Sequence, residues 1–376
     1  MNKKIQLKDT LFNKEKVEKI SGEIHKVYPS FNSNDFVQDV ITKFPELELK
    51  ARISWITNVL YRYLPNDYLE AISILLDALP DPNDPALSDN DFGDFIYAPY
   101  GEYVAQYGCT KKYLRHSLNA LYKITKRFSA EDAIRYFLNA FPKETLNALL
   151  IWSTDSHYHV RRLASEGARP KLPWSQKIHI SISEPLQLLD NLFSDNTRYV
   201  TRSVANHMND ISKIDPDLVI NTLSKWKRSL KQTPKEINYI IHHALRTLVK
   251  QGNPKAMELM GFSPSPKVIL SEFVIPKEVI LNTTLNFSFL ISSKDDLNVI
   301  IDYIIYFQNK LGKLSSKKVF KLSKRSLKRN VPVLITKSHK LIEKMTTRTL
   351  YPGNHELGIQ VNGKRIVKKM FYVKKL

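Results

Sequence analysis

Apolar side chains with the spacing of amphipathic helices dominate the first 262 residues. The stretches KVEKISGEIHKVYPSF (16–31) and NDFVQDVITKFPELELKARISWITNVLYRYL (34–64) both follow this pattern. In the second, Leu49, Ile53 and Ile56 mark the predicted core face. Short amphipathic helices depend on packing for their stability, so we predict that these segments build a helical scaffold.

A longer pattern appears after residue 155, where apolar and polar positions recur about every 40 residues. The matched apolar positions are Val160, Val200 and Ile240, followed by Ala164, Val204 and Ala244. A repeat of this length is typical of HEAT-like helix pairs, which stack side by side into an α-solenoid with a concave surface. We therefore predict a mainly α fold, with a HEAT-like repeat α-solenoid over residues 1–262.

The pattern changes at SPSPK (263–267), a Pro/Ser stretch that predicts a linker. Short β-branched and aromatic runs follow it, separated by turn signals. These runs are EVILNTTLNFSFLIS (278–292), NVIIDYIIYFQN (298–309), VPVLITK (331–337) and KRIVKKMFYV (364–373). Asn362-Gly363 is a strong hairpin signal. We predict a small all-β, immunoglobulin-like sandwich over residues 263–376, packed without a disulfide.

The polar positions of the 40-residue repeat form two series on the helix faces opposite the apolar ones. The first series is Arg162, Arg202 and His242, and the second is Glu166, Asn206 and Arg246. On stacked repeats they predict a mostly cationic groove that contains one carboxylate. The alternative is that these faces are solvated surface.

The stretch RRLASEGARPKLPW (161–174) contains that carboxylate. Arg162, Glu166 and Arg169 are spaced i, i+4, i+7, which predicts that they share one helix face. The prolines at 170 and 173 end the helix and fix the exit of the chain, so Trp174 is expected near Glu166. The alternatives are a solvated ladder of ion pairs and a plain core tryptophan.

The net charge is +20 and is unevenly distributed. Residues 263–376 hold 22 Lys and Arg against 7 Asp and Glu, a net charge of +15. This excess predicts a polyanionic partner, either nucleic acid or an acidic membrane surface. The predicted strands of the basic segment argue against a membrane, because surface-bound segments are typically amphipathic helices.

Other sequence features exclude several classes of protein. The single cysteine, Cys109, fits a reducing cytoplasm, and no apolar run is long enough to span a membrane. His157 with His159, and His242 with His243, are wrongly spaced for a helical metal site. Phosphate-binding glycine motifs do not occur. We expect a cytoplasmic monomer that uses no metal and no cofactor.

Several stretches together resemble a known family. RRLASEGARPKLPW, YVTRSVANHMND (199–210) and HHALRTLVKQGNPKAMELMG (242–261) are similar to the AlkC-type DNA alkylation repair glycosylases, and so are ELKAR (48–52) and SLNALYKITKRFSAEDAIRYF (117–137). Departures from the family pattern are Ala168 for Thr, Lys171 for Arg and Tyr136 for Pro, the last of which alters the bend after Arg135. One subgroup of the family carries an appended immunoglobulin-like domain like that predicted here.

This resemblance implies excision of 3-methyladenine and 3-methylcytosine from alkylated double-stranded DNA, as the first step of base excision repair. Such bases are cationic and leave readily, so the remaining barrier is positive charge on the sugar, which a carboxylate stabilises. Glu166 is the first candidate. Glu131 is a second, although its place beside the predicted N-cap residues Ser129 and Asp132 also fits a carboxylate that stabilises the helix dipole. Trp174 offers a π face to the cationic base.

The candidate DNA-binding residues are cations and amides near the same faces, with three more in the basic tail. They are Arg162, Arg169, Lys171, Arg202, Asn206, His242, Arg246, Lys250, Lys337, His339 and Arg348. Two other functions stay open. A non-catalytic nucleic-acid-binding α-solenoid would keep the cationic groove, although it has no use for the pair Glu166 and Trp174. A protein-interaction scaffold would use the basic tail alone.

Overall fold

The computed structural model of the protein describes residues 6–86, 92–345 and 348–375. These residues form two compact units. The first contains the described residues up to Ile214 together with Lys225–Ala244, and the second contains Asp215–Ser224 and the described residues from Leu245 onward. None of the helices formed by the described residues has the length and hydropathy needed to cross a membrane.

Helices make up the described chain before residue 260. They are α1 (Leu7–Leu11), α2 (Lys14–Val27), α3 (Ser33–Lys43), α4 (Leu49–Tyr63), α5 (Tyr68–Asp77), α6 (Ala98–Gly108), α7 (Leu114–Ile124), α8 (Ile134–Ala140), α9 (Pro142–Trp152), α10 (Tyr158–Glu166), α11 (Leu186–Leu192), α12 (Arg198–Ile211), α13 (Pro216–Ser229), α14 (Pro234–Ala244), α15 (Arg246–Gln251) and α16 (Pro254–Leu259). Helix α10 packs against α12, and α12 packs against α14, as the 40-residue repeat predicts.

The core face of α4 is rotated relative to the predicted one. Ile56 is buried as expected, whereas Leu49 and Ile53 are only half-buried. Arg52 is buried instead, because its guanidinium donates to the carbonyl oxygens of residues 8, 12, 44 and 47 and pairs with Asp9. A charged side chain that replaces water with this many acceptors can occupy a core position that hydrophobicity alone does not predict.

The second unit contains the strands. They are β1 (Val268–Val274), β2 (Glu278–Ile280), β3 (Thr284–Ser293), β4 (Leu297–Gln308), β5 (Leu314–Leu327), β6 (Val333–Lys340), β7 (Lys344–Met345), β8 (Arg348–Thr349), β9 (Gly353–Val361) and β10 (Lys364–Lys374). Sheet orders are β1-β3-β6 and β2-β10-β9-β4-β5, with β7 and β8 forming a separate pair. All neighbours are antiparallel except β2 and β10.

Alternating side chains of the two larger sheets form one apolar core, which confirms the predicted all-β sandwich. Phe287 and Phe289 from β3 belong to the same buried cluster as Ile301 and Ile305 from β4 and Leu357 from β9. The predicted hairpin is also confirmed. Asn362 and Gly363 join β9 to β10 and both have positive φ angles, 45° and 77°.

Residues at the ends of α15 and α16 contact the five-stranded sheet, which belongs to the same unit. The side-chain amide of Asn362 donates to the Ser263 carbonyl oxygen at 2.9 Å, and the Lys324 ammonium lies over the ring of Phe262. Gly252, which caps the C-terminus of α15, touches the backbone of Gly363. The predicted boundary between residues 262 and 263 stays a prediction, but these helices group with the strands that follow them.

The contact between two glycines generates a prediction. Gly252 has φ of +78°, and a Cβ there would lie 2.5 Å from the carbonyl oxygen of Gly363. Gly261 has nearly the same φ, +79°, but a Cβ there would meet nothing within 4 Å. We expect Gly261→Ala to lower the free energy of unfolding by about 1 kcal/mol, the cost of a left-handed alanine. Gly252→Ala should cost at least about twice that, because overpacking adds to it.

Urea unfolding followed by circular dichroism measures both variants. Equal losses of stability would contradict the steric role of the contact between Gly252 and Gly363.

Candidate active site

The 40-residue repeat has a structural basis at the start of each helix. Asp155 accepts a hydrogen bond from the backbone N–H of His157, and Asp195 accepts one from that of Thr197, both at 2.7 Å. Each carboxylate thereby fixes the turn into the next helix, α10 or α12. Arg161 on α10 also pairs with Asp195 at 2.5 Å, which ties one repeat to the next.

The equivalent polar faces of α10 and α12 differ in burial. On α12, Arg202 and Asn206 are half-buried, whereas the residues next to them in the chain are buried. On α10, Arg162 and Glu166 are buried, with 6% and 5% of their surface exposed. The sequence register is therefore shared, but the α10 face lies under other side chains and does not form a solvated ladder of ion pairs.

Glu166 is held at both carboxylate oxygens. Ser203 on α12 donates its hydroxyl to Oε2 at 2.5 Å, while the Arg169 guanidinium donates to Oε1 at 2.5 Å. Arg162 lies 3.8 Å from Oε1. Burial alone would raise the pKa of Glu166, but the two arginines and the Ser203 hydrogen bond outweigh it and hold the pKa below its usual value. Glu166 is therefore ionised at neutral pH.

Arg169 reaches Glu166 from outside the helix. The sequence predicts that Arg162, Glu166 and Arg169 share one helical face, but α10 ends at Glu166 and the prediction is wrong for Arg169. Gly167 follows Glu166 and packs so closely on α8 that a Cβ would lie 2.4 Å from Ile134 Cγ2. The chain then turns, and Arg169 comes to bridge Glu166 and Asp210 Oδ2, the latter at 2.8 Å.

Glu131 joins the same network through Arg162. The Arg162 Nη1 donates to Glu131 Oε2 at 2.5 Å, and the Ser129 hydroxyl donates to the same oxygen at 2.7 Å. The side chain of Glu131 is 26% exposed, against 7% for that of Glu166. The predicted N-cap is wrong, because α8 begins only at Ile134 and the Ser129 side chain binds Glu131 instead of a backbone N–H.

Aromatic rings enclose the shared arginine. The Arg162 guanidinium lies 4.6 Å from the ring centre of Tyr199 and 5.5 Å from that of Phe92. Opposite charges on both neighbouring carboxylates keep the pKa of Arg162 raised despite its burial. Arg162 and Arg169 both bind carboxylates here, and their predicted contacts with DNA phosphates stay predictions.

The side chain of Trp174 lies at the surface and is not part of the buried network. It is 84% exposed and has a φ of 63°, and its ring stacks on no aromatic or cationic side chain among the described residues. The interpretation of Trp174 as a plain core tryptophan is therefore wrong. Lys171, in the same loop, is also exposed.

The other predicted DNA-binding residues fall in both units. The Arg202 guanidinium lies 5.8 Å from the ring centre of Tyr199, and the Asn206 side-chain oxygen is 2.8 Å from Nε2 of His243. His242 is half-buried near the end of α14. Helix α14 ends at Ala244, so Arg246 opens α15 instead of extending the face that contains His242. Lys250 in α15 is exposed.

The three candidates that lie on strands are all half-buried. Lys337 and His339 lie on β6, where Nδ1 of His339 is 2.8 Å from the Tyr303 hydroxyl. Burial, reinforced by Arg348 and Lys337, lowers the pKa of His339 to about 4, so this side chain is neutral at pH 7. The Arg348 guanidinium lies 3.9 Å from the ring centre of Phe307.

Sequence reasoning missed several partners of the two carboxylates and of the arginines that bind them. These partners are Ser129, Tyr199, Ser203 and Asp210. Among these four, Asp210 is the only one whose residue type signals a role, because it is an acid in the stretch YVTRSVANHMND, where the structure buries it.

Within residues 6–86, 92–345 and 348–375, no three His, Cys, Asp or Glu side chains are grouped so as to hold a metal ion.

Comparison with known proteins gives consistent results. Residues 270–375 match the family model of the C-terminal Ig-like domain of the uncharacterised protein YhaZ. The uncharacterised protein YhaZ of Bacillus subtilis (strain 168) is 36% identical over 361 residues, which cover 94% of this chain and 95% of that protein.

A solved structure is similar over nearly the whole chain. It is the Pseudomonas fluorescens alkylpurine DNA glycosylase AlkC bound to DNA containing an abasic site analog. The TM-score is 0.87 at 33% identity, with 98% of this chain and 100% of the other covered. Together with the sequence motifs, this similarity shows that the chain belongs to the AlkC family of DNA glycosylases and carries an Ig-like domain of the YhaZ type.

Proposed function

We propose that the protein hydrolyses the N-glycosidic bond of cationic N3-alkylated bases, 3-methyladenine and 3-methylcytosine, in double-stranded DNA. The observation that carries the proposal is the ionised, buried Glu166, which shares Arg162 with the partly exposed Glu131. The relative whose solved structure contains DNA with an abasic site analog supports the same reaction, since an abasic site is what base excision leaves.

The chemistry follows from the charge of the damaged base. A base alkylated at N3 is already cationic, so it leaves with the electron pair of the glycosidic bond and needs no proton from the enzyme. Positive charge then develops on the sugar, and fixed negative charge nearby stabilises it. In this proposal Glu166 supplies that charge, because its partners keep it ionised and immobile.

Glu131 has the second role in the proposal. Its Oε2 is occupied by Arg162 and Ser129, but its Oε1 accepts no hydrogen bond from the residues that the structure describes. We assign this oxygen to the attacking water. The water oxygen bonds to C1′ of the sugar, the bond from C1′ to the base breaks, and the water proton passes through Glu131 to solvent.

Trp174 recognises the base in this scheme. Its exposed ring offers a π face to the cationic base, an attraction worth roughly 0.5–2 kcal/mol that a neutral base lacks. Arg162 and Arg169 position the carboxylates, and their predicted contacts with the DNA backbone remain part of the proposal. The other backbone contacts are assigned to Lys171, Arg202, Asn206, His242, Arg246 and Lys250, with Lys337 and Arg348 in the Ig-like domain. His339 is also assigned to the DNA interface, but as an uncharged side chain.

A non-catalytic nucleic-acid-binding protein is the alternative. The packing around Glu166 argues against it, since a binder gains nothing from a buried carboxylate that repels phosphates. This proposal also places the protein with the DNA in the cytoplasm, acting as a monomer without metal or cofactor.

The first prediction concerns the central carboxylate. Glu166→Gln keeps the size of the side chain but removes its charge, so single-turnover release of 3-methyladenine should fall by about 100- to 1000-fold. The rate of the Glu131→Gln variant should fall less, because Arg162 and Glu166 remain. Glu144→Gln, which changes a carboxylate in the first turn of α9, is the control. Excision near the wild-type rate by Glu166→Gln would refute the assignment.

The second prediction concerns pH. Arg162 and Arg169 lower the pKa of Glu166, so excision should be constant above that pKa and fall as the pH drops through it. Arg169→Gln removes one stabilising charge and raises the pKa of Glu166, and the fall should begin at higher pH. Arg161→Gln, which loses an ion pair to Asp195 elsewhere on α10, should keep the wild-type profile. Superimposable profiles for Arg169→Gln and wild type would contradict this electrostatic role.

The third prediction concerns the backbone contacts. Arg202→Ala should weaken binding to every duplex by a similar factor, whether or not the duplex is alkylated, because phosphate contacts do not depend on sequence. Arg62→Ala, an exposed cation on α4, is the control. Fluorescence anisotropy with matched undamaged and alkylated duplexes measures both. A loss confined to alkylated DNA would assign Arg202 to lesion recognition instead.

A further inference from the structure

The conformation of Trp174 needs support from elsewhere in the protein. Its φ of 63° lies in the left-handed region, where a bulky side chain is strained. The side chain is 84% exposed, so packing around the ring does not hold it there. The support has to come from contacts of the loop backbone, which runs from residue 167 to residue 177.

The base of this loop is tied to α8 by one buried arginine. Arg135 is fully buried, and its Nη1 donates to the carbonyl oxygens of Gly167 and Arg169 at 3.0 and 2.8 Å. Its Nε donates to the carbonyl oxygen of Gln176 at 2.7 Å. Both limbs of the loop are therefore anchored by a single side chain, and only the tip with Trp174 remains to be placed.

The tip is held by Lys50, a residue of α4 in the stretch ELKAR. The Lys50 ammonium donates to the carbonyl oxygen of Trp174 and also to Asp132 Oδ2, the latter at 3.0 Å. Asp132 directly follows Glu131 in the chain. One ammonium group thus connects the backbone of the proposed base-recognising residue to the neighbour of the proposed water-binding residue.

We propose that Lys50 is a positioning residue that fixes Trp174 relative to Glu131, an inference that rests on the proposed function. The Lys50 and Asp132 side chains are 55% and 52% exposed, and an ion pair this exposed contributes little to folding. Its effect is geometric: the damaged base must lie on Trp174 while the sugar faces the carboxylates. The competing role for an exposed lysine near a DNA site is a phosphate contact.

The test is Lys50→Met in the full chain. Single-turnover release of 3-methyladenine at saturating enzyme should fall by about 10- to 100-fold, as expected for a misplaced reacting group. The melting temperature and the affinity for undamaged duplex should not change, and Lys50→Arg should recover most of the rate. Lys177→Met is the matched control, since it removes an exposed cation at the end of the same loop.

A double-mutant cycle tests whether Lys50 acts through Trp174. If it does, Lys50→Met should cause no further loss of rate in a Trp174→Ala background, whereas independent effects would multiply. Multiplied losses would overturn the proposal. So would weaker binding of Lys50→Met to undamaged duplex, with a salt slope reduced by about 0.9, because that result indicates a phosphate contact.

The remaining outcomes separate this inference from the proposed function. A wild-type rate for Lys50→Met beside a slow Trp174→Ala would overturn the inference alone. A wild-type rate for Trp174→Ala would overturn the role of Trp174 in the proposed function and this inference with it.

Discussion

The interaction on which the site depends is the ion pair that Arg162 makes with two carboxylates at once. Glu166 is almost completely buried, and an isolated buried carboxylate would take up a proton instead of remaining charged. Arg162 and Arg169 prevent this, and both are themselves buried. Each charge is stabilised by more than one of the others, so removing one weakens the compensation of those that remain.

This mutual dependence also explains why distant parts of the sequence must come together accurately. Glu131 comes from the turn before α8, Glu166 from the end of α10, and Asp210 from α12. Because ion pairs and hydrogen bonds of 2.5 to 2.9 Å connect these groups, a small shift of any helix would break several of them at once. The same contacts that fix the positions of the carboxylates therefore also hold the stacked helices in register.

The elements with a periodic signal are predictable from the sequence. The helices, the 40-residue repeat, four of the apolar strand segments and the hairpin at Asn362-Gly363 all follow from local spacing or turn chemistry. Strand β5 escapes such reasoning because its 14 residues carry five Lys or Arg, as many as its apolar side chains. It lies at the edge of the sheet, where charged residues are tolerated and oppose pairing with other chains.

Within the site, the residue types are predictable but their environments are not. Arg162 and Arg202 occupy the same repeat position, yet only Arg162 is buried, because Tyr199, Phe92 and Glu131 surround it. The sequence places the end of α10 too late, because the prolines at 170 and 173 are its most visible stop signals. The helix ends at Glu166, and Gly167, which caps it, packs so closely on Ile134 that a Cβ would lie 2.4 Å from the Ile134 Cγ2. Long-range packing of this kind leaves no local pattern in the sequence.

The distribution of charge bears on the proposed selectivity for cationic lesions in DNA. The chain as a whole carries +20, which attracts any nucleic acid. In the buried network the charges balance, because the three carboxylates of Glu131, Glu166 and Asp210 are paired with Arg162, Arg169 and Lys213. Screening weakens interactions between exposed charges over about 8–10 Å, but a buried cluster is screened much less. In the proposed function, the cationic surface therefore acts on the backbone at long range, while the ionised carboxylates act on the base and sugar at short range.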